Sequence, residues 1–274
     1  MSKESAASFI VQEEINCKVT KRRTRYENLD RTKPVMTPEL EKEIEMALVQ
    51  YDQRTKWREW GLEGLRKQGA CVALYGPPGT GKTSIAHYMS KRVGRGLLTL
   101  NMKDVSGKAP GEIERNIAEA FWKADNENHK TILLDECEAI LWDRSLAGQD
   151  SMWMISIVDE VLVQIAKYKG LVVLATNNID IVDSALKDRC FATLQVGTPA
   201  LAERVRLWRQ KIPARYPLQP TQVQYEKLAA IEINGRNIET AIMKEASDAI
   251  LEKRDPSFAG LFAKVTTLAA PLKK

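Results

Sequence analysis

The eight residues Gly76-Pro77-Pro78-Gly79-Thr80-Gly81-Lys82-Thr83 fit the pattern G-x-x-x-x-G-K-[ST], in which loop amides surround a polyphosphate. They follow the apolar run Ala70 to Tyr75, which reads as a buried strand, and precede Ser84 to Val93, which reads as a helix. The glycines let successive N–H groups converge on a β-phosphate, while Pro77 and Pro78 stiffen the turn. The helix that starts near Lys82 adds its positive N-terminal end. Lys82 is expected to set a compact ammonium on the β- and γ-phosphates, and the Thr83 hydroxyl to ligate the magnesium that travels with the nucleotide. Thr80 and Ser84 complete the binding stretch. The rival reading is an ordinary Gly/Pro turn before a helix, and the agreement of strand, motif and helix argues against it.

A 274-residue chain with 44% hydrophobic content can build a real core, and its length suits one domain or one plus a small second. No run approaches the roughly 18 to 20 apolar residues of a membrane span, and no apolar signal core stands at the N-terminus. A cytoplasmic protein with no membrane partner is expected. Cys17, Cys71, Cys137 and Cys190 lie far apart without a C-x-x-C pair, so neither a disulfide framework nor a zinc site is suggested. The last three sit in or beside apolar runs, as small core residues do. The net charge of +5 is concentrated between Lys18 and Lys33, where seven basic residues face Glu27 and Asp30. Any electrostatic attraction to nucleic acid would have to come mainly from this arm, since the rest is near neutral.

Residues 1–36 are polar and aperiodic, a flexible arm that is either a solvated tail or a docking segment for nucleic acid or a partner. Thr37-Pro38-Glu39-Leu40 gives a strong helix start, with apolar positions Leu40, Ile44, Ala47, Leu48 and Tyr51 continuing to about Arg58. Trp57, Trp60, Leu62 and Leu65 are expected to wedge this section against the core. From residue 70, strands at 70–75, 97–101, 131–134, 171–175 and 191–196 alternate with helices at 84–93, 111–125 and 150–168. That alternation is the signature of a parallel five-stranded sheet with helices on both faces. After Pro199 only helices follow, at 201–211, 222–231, 236–253 and 258–268. The expected division is therefore an arm (1–36), an α/β nucleotide-binding domain (37–198) and a small all-α lid with the C-terminal tail (199–274).

Asp135 ends the run Thr131 to Leu134, and Glu136 follows it. Alone, an apolar run ending in two acids is equally a strand ending in a turn. Downstream of a phosphate-binding loop, the first acid suits the magnesium shell and the second the polarisation of water.

GPPGTGKT as Walker A, LLDECEAI (133–140) as Walker B and VVLATNN (172–178) at the next strand together resemble the AAA+ ATPase family of P-loop NTPases (the ASCE group), its AAA branch in particular. The resemblance covers about residue 37 to residue 253. It implies ATP and Mg2+ as ligands and a homo-oligomeric ring, often a hexamer, with nucleotide held between subunits. Carried over by position, Asn177 takes the sensor 1 place, with Asn178 beside it, where an amide orients the attacking water or contacts the γ-phosphate. Asp183 to Cys190 resembles the D-x-A-L-x-x-R segment that presents an arginine finger to the next subunit. Arg189 is the expected finger, ahead of Arg144 and Arg204. Asn234-Gly235-Arg236-Asn237-Ile238 resembles sensor 2, with Arg236 reaching the γ-phosphate in cis. The family's aromatic pore loop K-Y-V-G-E is matched here by Lys108-Ala109-Pro110-Gly111-Glu112, without a ring to grip a peptide; Trp142 and Trp153 are alternative sources of aromatic surface. These features imply an ATPase that remodels a protein substrate, adaptor or assembly, with Glu136, Asn177 and Arg189 catalytic and Thr83 and Asp135 at the metal. The alternative is a nucleic-acid-associated module of clamp-loader, replication or transposition type, favoured by the basic arm, the missing pore aromatic and the Arg189-Cys190 pairing.

Overall fold

A computed structural model describes residues 33–52, 56, 59–62, 70–101, 111–126, 131–139, 141 and 152–269. By compactness the chain divides into Met1–Pro34 and Val35–Lys274, and every described element lies in the second unit. The basic stretch before Lys33, Cys17, Trp57, Leu65, the stretch 108–110, Trp142 and Arg144 fall outside the described residues.

Helix α1 (Pro38–Asp52) starts as its sequence requires: the Thr37 hydroxyl accepts from Leu40 N–H at 3.2 Å, and Glu39 and Glu41 occupy the first turn. Then come β1 (Ala70–Tyr75), α2 (Lys82–Arg92), β2 (Leu97–Asn101), α3 (Glu112–Asn126) and β3 (Thr131–Asp135). A 3-10 turn, Cys137–Ala139, leads on to α4 (Met152–Lys167), β4 (Leu171–Thr176), α5 (Ser184–Arg189) and β5 (Ala192–Gln195). The five strands form one sheet in the order β2-β3-β4-β1-β5, and every pairing is parallel.

The continuous apolar character of β1 has a direct cause. Cys71 and Ala73 belong to a core shared with Ile117 and Phe121 of α3 and Ile157, Val161 and Ile165 of α4. Ala70, Val72 and Leu74 belong to the other core, with Ile44 and Leu48 of α1 and Ile85 and Met89 of α2. Successive side chains point to opposite faces, and both faces are covered, so no position is left for a polar residue. Each fully buried Leu, Ile or Val contributes about 1.5–3 kcal/mol relative to exposure. Cys71, Cys137 and Cys190 are buried free thiols, as their surroundings in the sequence suggest.

Trp60 and Leu62 correct one expectation. They are 68% and 36% exposed, so neither is wedged into the core, and Gly61 between them has φ +70°.

Beyond β5 the chain is helical: α6 (Leu201–Lys211), α7 (Gln222–Ala230), α8 (Gly235–Leu251) and α9 (Phe258–Ala269). These helices enclose their own core around Trp208, Leu228, Ile238, Ala241, Leu261 and Val265. Thr221 and Gln224 form a reciprocal capping box at the start of α7, and Asn234 caps α8 by accepting from Asn237 N–H at 2.9 Å. Among the described residues, no helix is long and apolar enough to cross a membrane.

Candidate nucleotide site

The strand order decides where the chemistry gathers. β3, β4 and β1 are neighbours running in the same direction, so their C-terminal ends lie side by side. Asp135 ends β3, Asn177 follows β4, and the loop from Gly76 to Gly81 follows β1. Gly76 N–H donates to Thr176 C=O at 3.3 Å, which continues the β1–β4 ladder into the loop.

Two side-chain hydrogen bonds tie these ends together. Thr83 Oγ1 donates to Asp135 Oδ2 at 3.1 Å, and Lys82 Nζ donates to Asn177 Oδ1 at 2.8 Å. Lys82 also donates to the carbonyls of Gly76 at 2.8 Å and Pro77 at 3.0 Å, so all three ammonium protons have acceptors. Thr80 Oγ1 closes the turn by donating to Pro77 C=O at 2.9 Å, and Pro78 lies exposed at its tip.

The residues fit a magnesium-bound polyphosphate. Gly81 is the N-cap of helix α2, and with φ +100° it leaves the first-turn amides without any side-chain cap. A Cβ at Gly81 would meet nothing within 4 Å, so it is the backbone angle and not crowding that calls for glycine there. Ser84 lies in the same uncapped first turn. The Thr83 hydroxyl and Asp135 carboxylate supply the hard oxygen donors that magnesium prefers. The electrostatics also fit. Burial pulls the Lys82 ammonium below its ordinary value, Arg236 adds to that fall, and Glu138, Asp135 and Glu136 oppose it. Burial pushes the Asp135 carboxyl up, against the hydrogen bonds from Thr83 and from Glu136 N–H. Both groups thus gain by meeting an opposite charge.

Glu136 has φ +51°. For a non-glycine residue this left-handed backbone costs on the order of 1–2 kcal/mol, and it occurs where the chain turns out of β3 immediately after Asp135.

Two contributors had no role assigned from sequence. Glu138, in the 3-10 turn, accepts at Oε1 from Asn177 N–H at 3.2 Å and from Asn177 Nδ2 at 2.6 Å. Asn234, the cap of α8, donates from Nδ2 to Pro78 C=O at 3.1 Å and so fastens the helical part to the loop. Gly79 accommodates that contact: at φ +79°, a Cβ there would stand 2.8 Å from Asn234 Nδ2. The only sequence signal for either was its neighbourhood in a recognised motif.

Arg236 occupies the first turn of α8, two residues after Asn234, on the helix face that also carries Glu239, Thr240 and Met243. Asn178 lies just beyond Asn177 and uses its backbone C=O to accept from Thr176 Oγ1 at 3.0 Å. Arg204 is accounted for as a structural residue: it is buried and donates to Ala229 C=O at 2.6 Å and Pro199 C=O at 2.8 Å.

Arg189 is not brought to the loop. It ends α5, Cys190 Sγ stands 3.1 Å from Cys71 Sγ, and Phe191 N–H donates to Cys71 C=O at 2.9 Å. Cys71 is the second residue of β1, whereas the loop leaves the other end. The five steps from Cys71 to Gly76 span about 16 Å at ~3.3 Å per residue, so this half-buried arginine sits toward the opposite end of β1 from the loop.

Residues 72–198 match the family described as ATPase family associated with various cellular activities (AAA). Vacuolar protein sorting-associated protein 4 of Dictyostelium discoideum is 29% identical over 171 residues, which is 61% of this chain and 38% of that protein. A putative 26S proteasome regulatory subunit homolog of Methanocaldococcus jannaschii is 30% identical over 193 residues, 67% of this chain and 51% of that protein. The chain spans about half or less of the length of the curated relatives it matches. A chain of the E. coli MS115-1 HORMA:CdnC:Trip13 complex shares the fold, with TM-score 0.64 and 17% identity over 83% of this chain and 85% of that one. The match spans the strands whose ends build the site, so it is the nucleotide-site region of this chain, residues 72–198, that is similar to the AAA ATPase family.

Proposed function

We propose that the chain hydrolyses ATP with Mg2+ at the interface between copies of itself in a ring, and uses the cycle to remodel a protein partner. The observation that carries this reading is the pair of bonds Lys82–Asn177 and Thr83–Asp135, which join Walker A to two neighbouring strand ends. The ligand supplies the scissile γ-phosphate and its metal. Lys82 and the uncapped amides from Gly79 to Ser84 bind the phosphates, and Thr83 and Asp135 hold the magnesium. Glu136 takes a proton from the attacking water, Asn177 responds to the γ-phosphate, and Arg236 reports from the first turn of α8. Arg189, remote from its own loop, serves the site of an adjacent copy, where a guanidinium offsets developing charge.

Residues 37–198 act as the nucleotide-binding domain and 199–274 as the lid, whose seating on Pro78 through Asn234 couples nucleotide state to lid angle. Relatives named for protein sorting and for the proteasome support a protein as the object of the work. A cytoplasmic location fits such a substrate.

Glu136→Gln tests the assignment. It should leave ATP binding intact while turnover falls about 100- to 10,000-fold, the range for losing a general base. Steady-state phosphate release at the wild-type rate would remove Glu136 from that role.

A further inference from the structure

The Asn177 amide is held in one orientation by its neighbours. Its Oδ1 faces Lys82 Nζ at 2.8 Å, and its Nδ2 faces Glu138 Oε1 at 2.6 Å. An ammonium can only donate and a carboxylate can only accept, so the reverse orientation would set donor against donor and acceptor against acceptor. Glu138 reinforces the arrangement by also accepting the Asn177 backbone N–H at 3.2 Å. Its second oxygen, Oε2, is buried without a hydrogen-bond partner among the described residues. The carboxylate is thus committed to Asn177.

The γ-phosphate oxygens of a magnesium-bound triphosphate are acceptors and need the NH2 edge of the amide. Glu138 holds one of the two protons on that edge through a charge-assisted bond, the stronger kind, and sets a negative charge beside the other. A diphosphate asks nothing of Asn177, so the contact to Glu138 weighs against the triphosphate alone.

We propose that Glu138 is a positioning residue that competes with the γ-phosphate for the amide protons of Asn177, and thereby sets how far the site prefers ATP to ADP. The proposal rests on the reading of this site as an ATP site. It makes Glu138 a restraint on triphosphate binding, opposite in sign to Lys82.

The test is the ratio of the ADP Kd to the Kd of adenylyl imidodiphosphate, measured by titration with magnesium for the full chain and its variants. Glu138→Ala should raise this ratio about tenfold, the effect of removing one competing charged hydrogen bond. Glu138→Gln keeps the volume and an acceptor oxygen without the charge, and should give a smaller rise. In an Asn177→Ala background, Glu138→Ala should leave the ratio unchanged, because the competed group is gone. Purely structural damage would shift both constants together. An unaltered ratio in Glu138→Ala and Glu138→Gln, or an equal rise without Asn177, would overturn the role of Glu138. A wild-type chain that binds neither nucleotide, or a Lys82→Ala variant that binds both as well as wild type, would instead overturn the ATP-site reading on which it rests.

Discussion

At the residue scale, the loop after β1 is a set of donors waiting for an acceptor-rich ligand. Lys82 meets its own need with two carbonyls and an amide oxygen, all of which a phosphate can replace. Gly79 is where this loop and α8 touch. Gly79→Ala would force alanine to φ +79° and bring Cβ within 2.8 Å of Asn234 Nδ2. It should lower the unfolding free energy by about 1–2 kcal/mol and weaken nucleotide binding, read by denaturant titration and by fluorescent-nucleotide binding. Wild-type values in both would show that the contact is not a seat for the lid. The motif residues were legible in the sequence because their spacing is local: one strand, one turn, one helix. Glu138 was not, because its partner Asn177 lies 39 positions away and meets it only once β3 and β4 are side by side.

At the scale of elements, apolar periodicity located each strand to within a residue or two, and α6 matches its expected bounds of Leu201–Lys211. Helix α5 escaped that treatment. Six residues give less than two turns, too short for a period to register, and its N-cap Asp183, accepting from Ala185 N–H at 2.9 Å, is a signal only in hindsight of the turn. The helical part has buried polar anchors besides its apolar core. Arg204→Ala would strand the carbonyls of Ala229 and Pro199 and should cost about 2–4 kcal/mol, seen as early melting; an unchanged melting temperature would show that Arg204 is dispensable there.

Glu245, fully buried in α8, gives the same region an acid sensitivity. Burial alone would raise its carboxyl, but Arg254 and Ser257 N–H outweigh burial and leave it below the ordinary value of 4.5. A carboxylate lowered in this way stabilises the fold fully above that value and loses its contribution as pH falls through the folded-state pKa. Acid unfolding of Glu245→Gln should therefore show a flatter pH dependence below pH 4.5 than wild type, and parallel curves would contradict the linkage.

At the scale of the whole molecule, the β-sheet sets the phosphate loop and Arg189 at opposite ends of its strands. The C-terminal edge of β1 carries the phosphate loop, and the N-terminal edge, through Cys71 and Phe191, carries Arg189. Under the proposed function, Arg189 lies away from the loop of its own chain, and a complete site takes its arginine from a second copy. The charge of an arginine is visible in the sequence, but the edge it occupies is fixed by strand order, a long-range property no local pattern encodes. The measurement that bears most directly on this is ATP turnover in mixtures of two inactive variants, Lys82→Ala and Arg189→Ala. Each alone should fall by about 1,000-fold or more, the scale for losing an arginine finger, while mixing should restore part of the rate through sites with an intact loop from one copy and an intact arginine from the other. Activity that stays at the level of the separate variants at every mixing ratio would contradict a shared site.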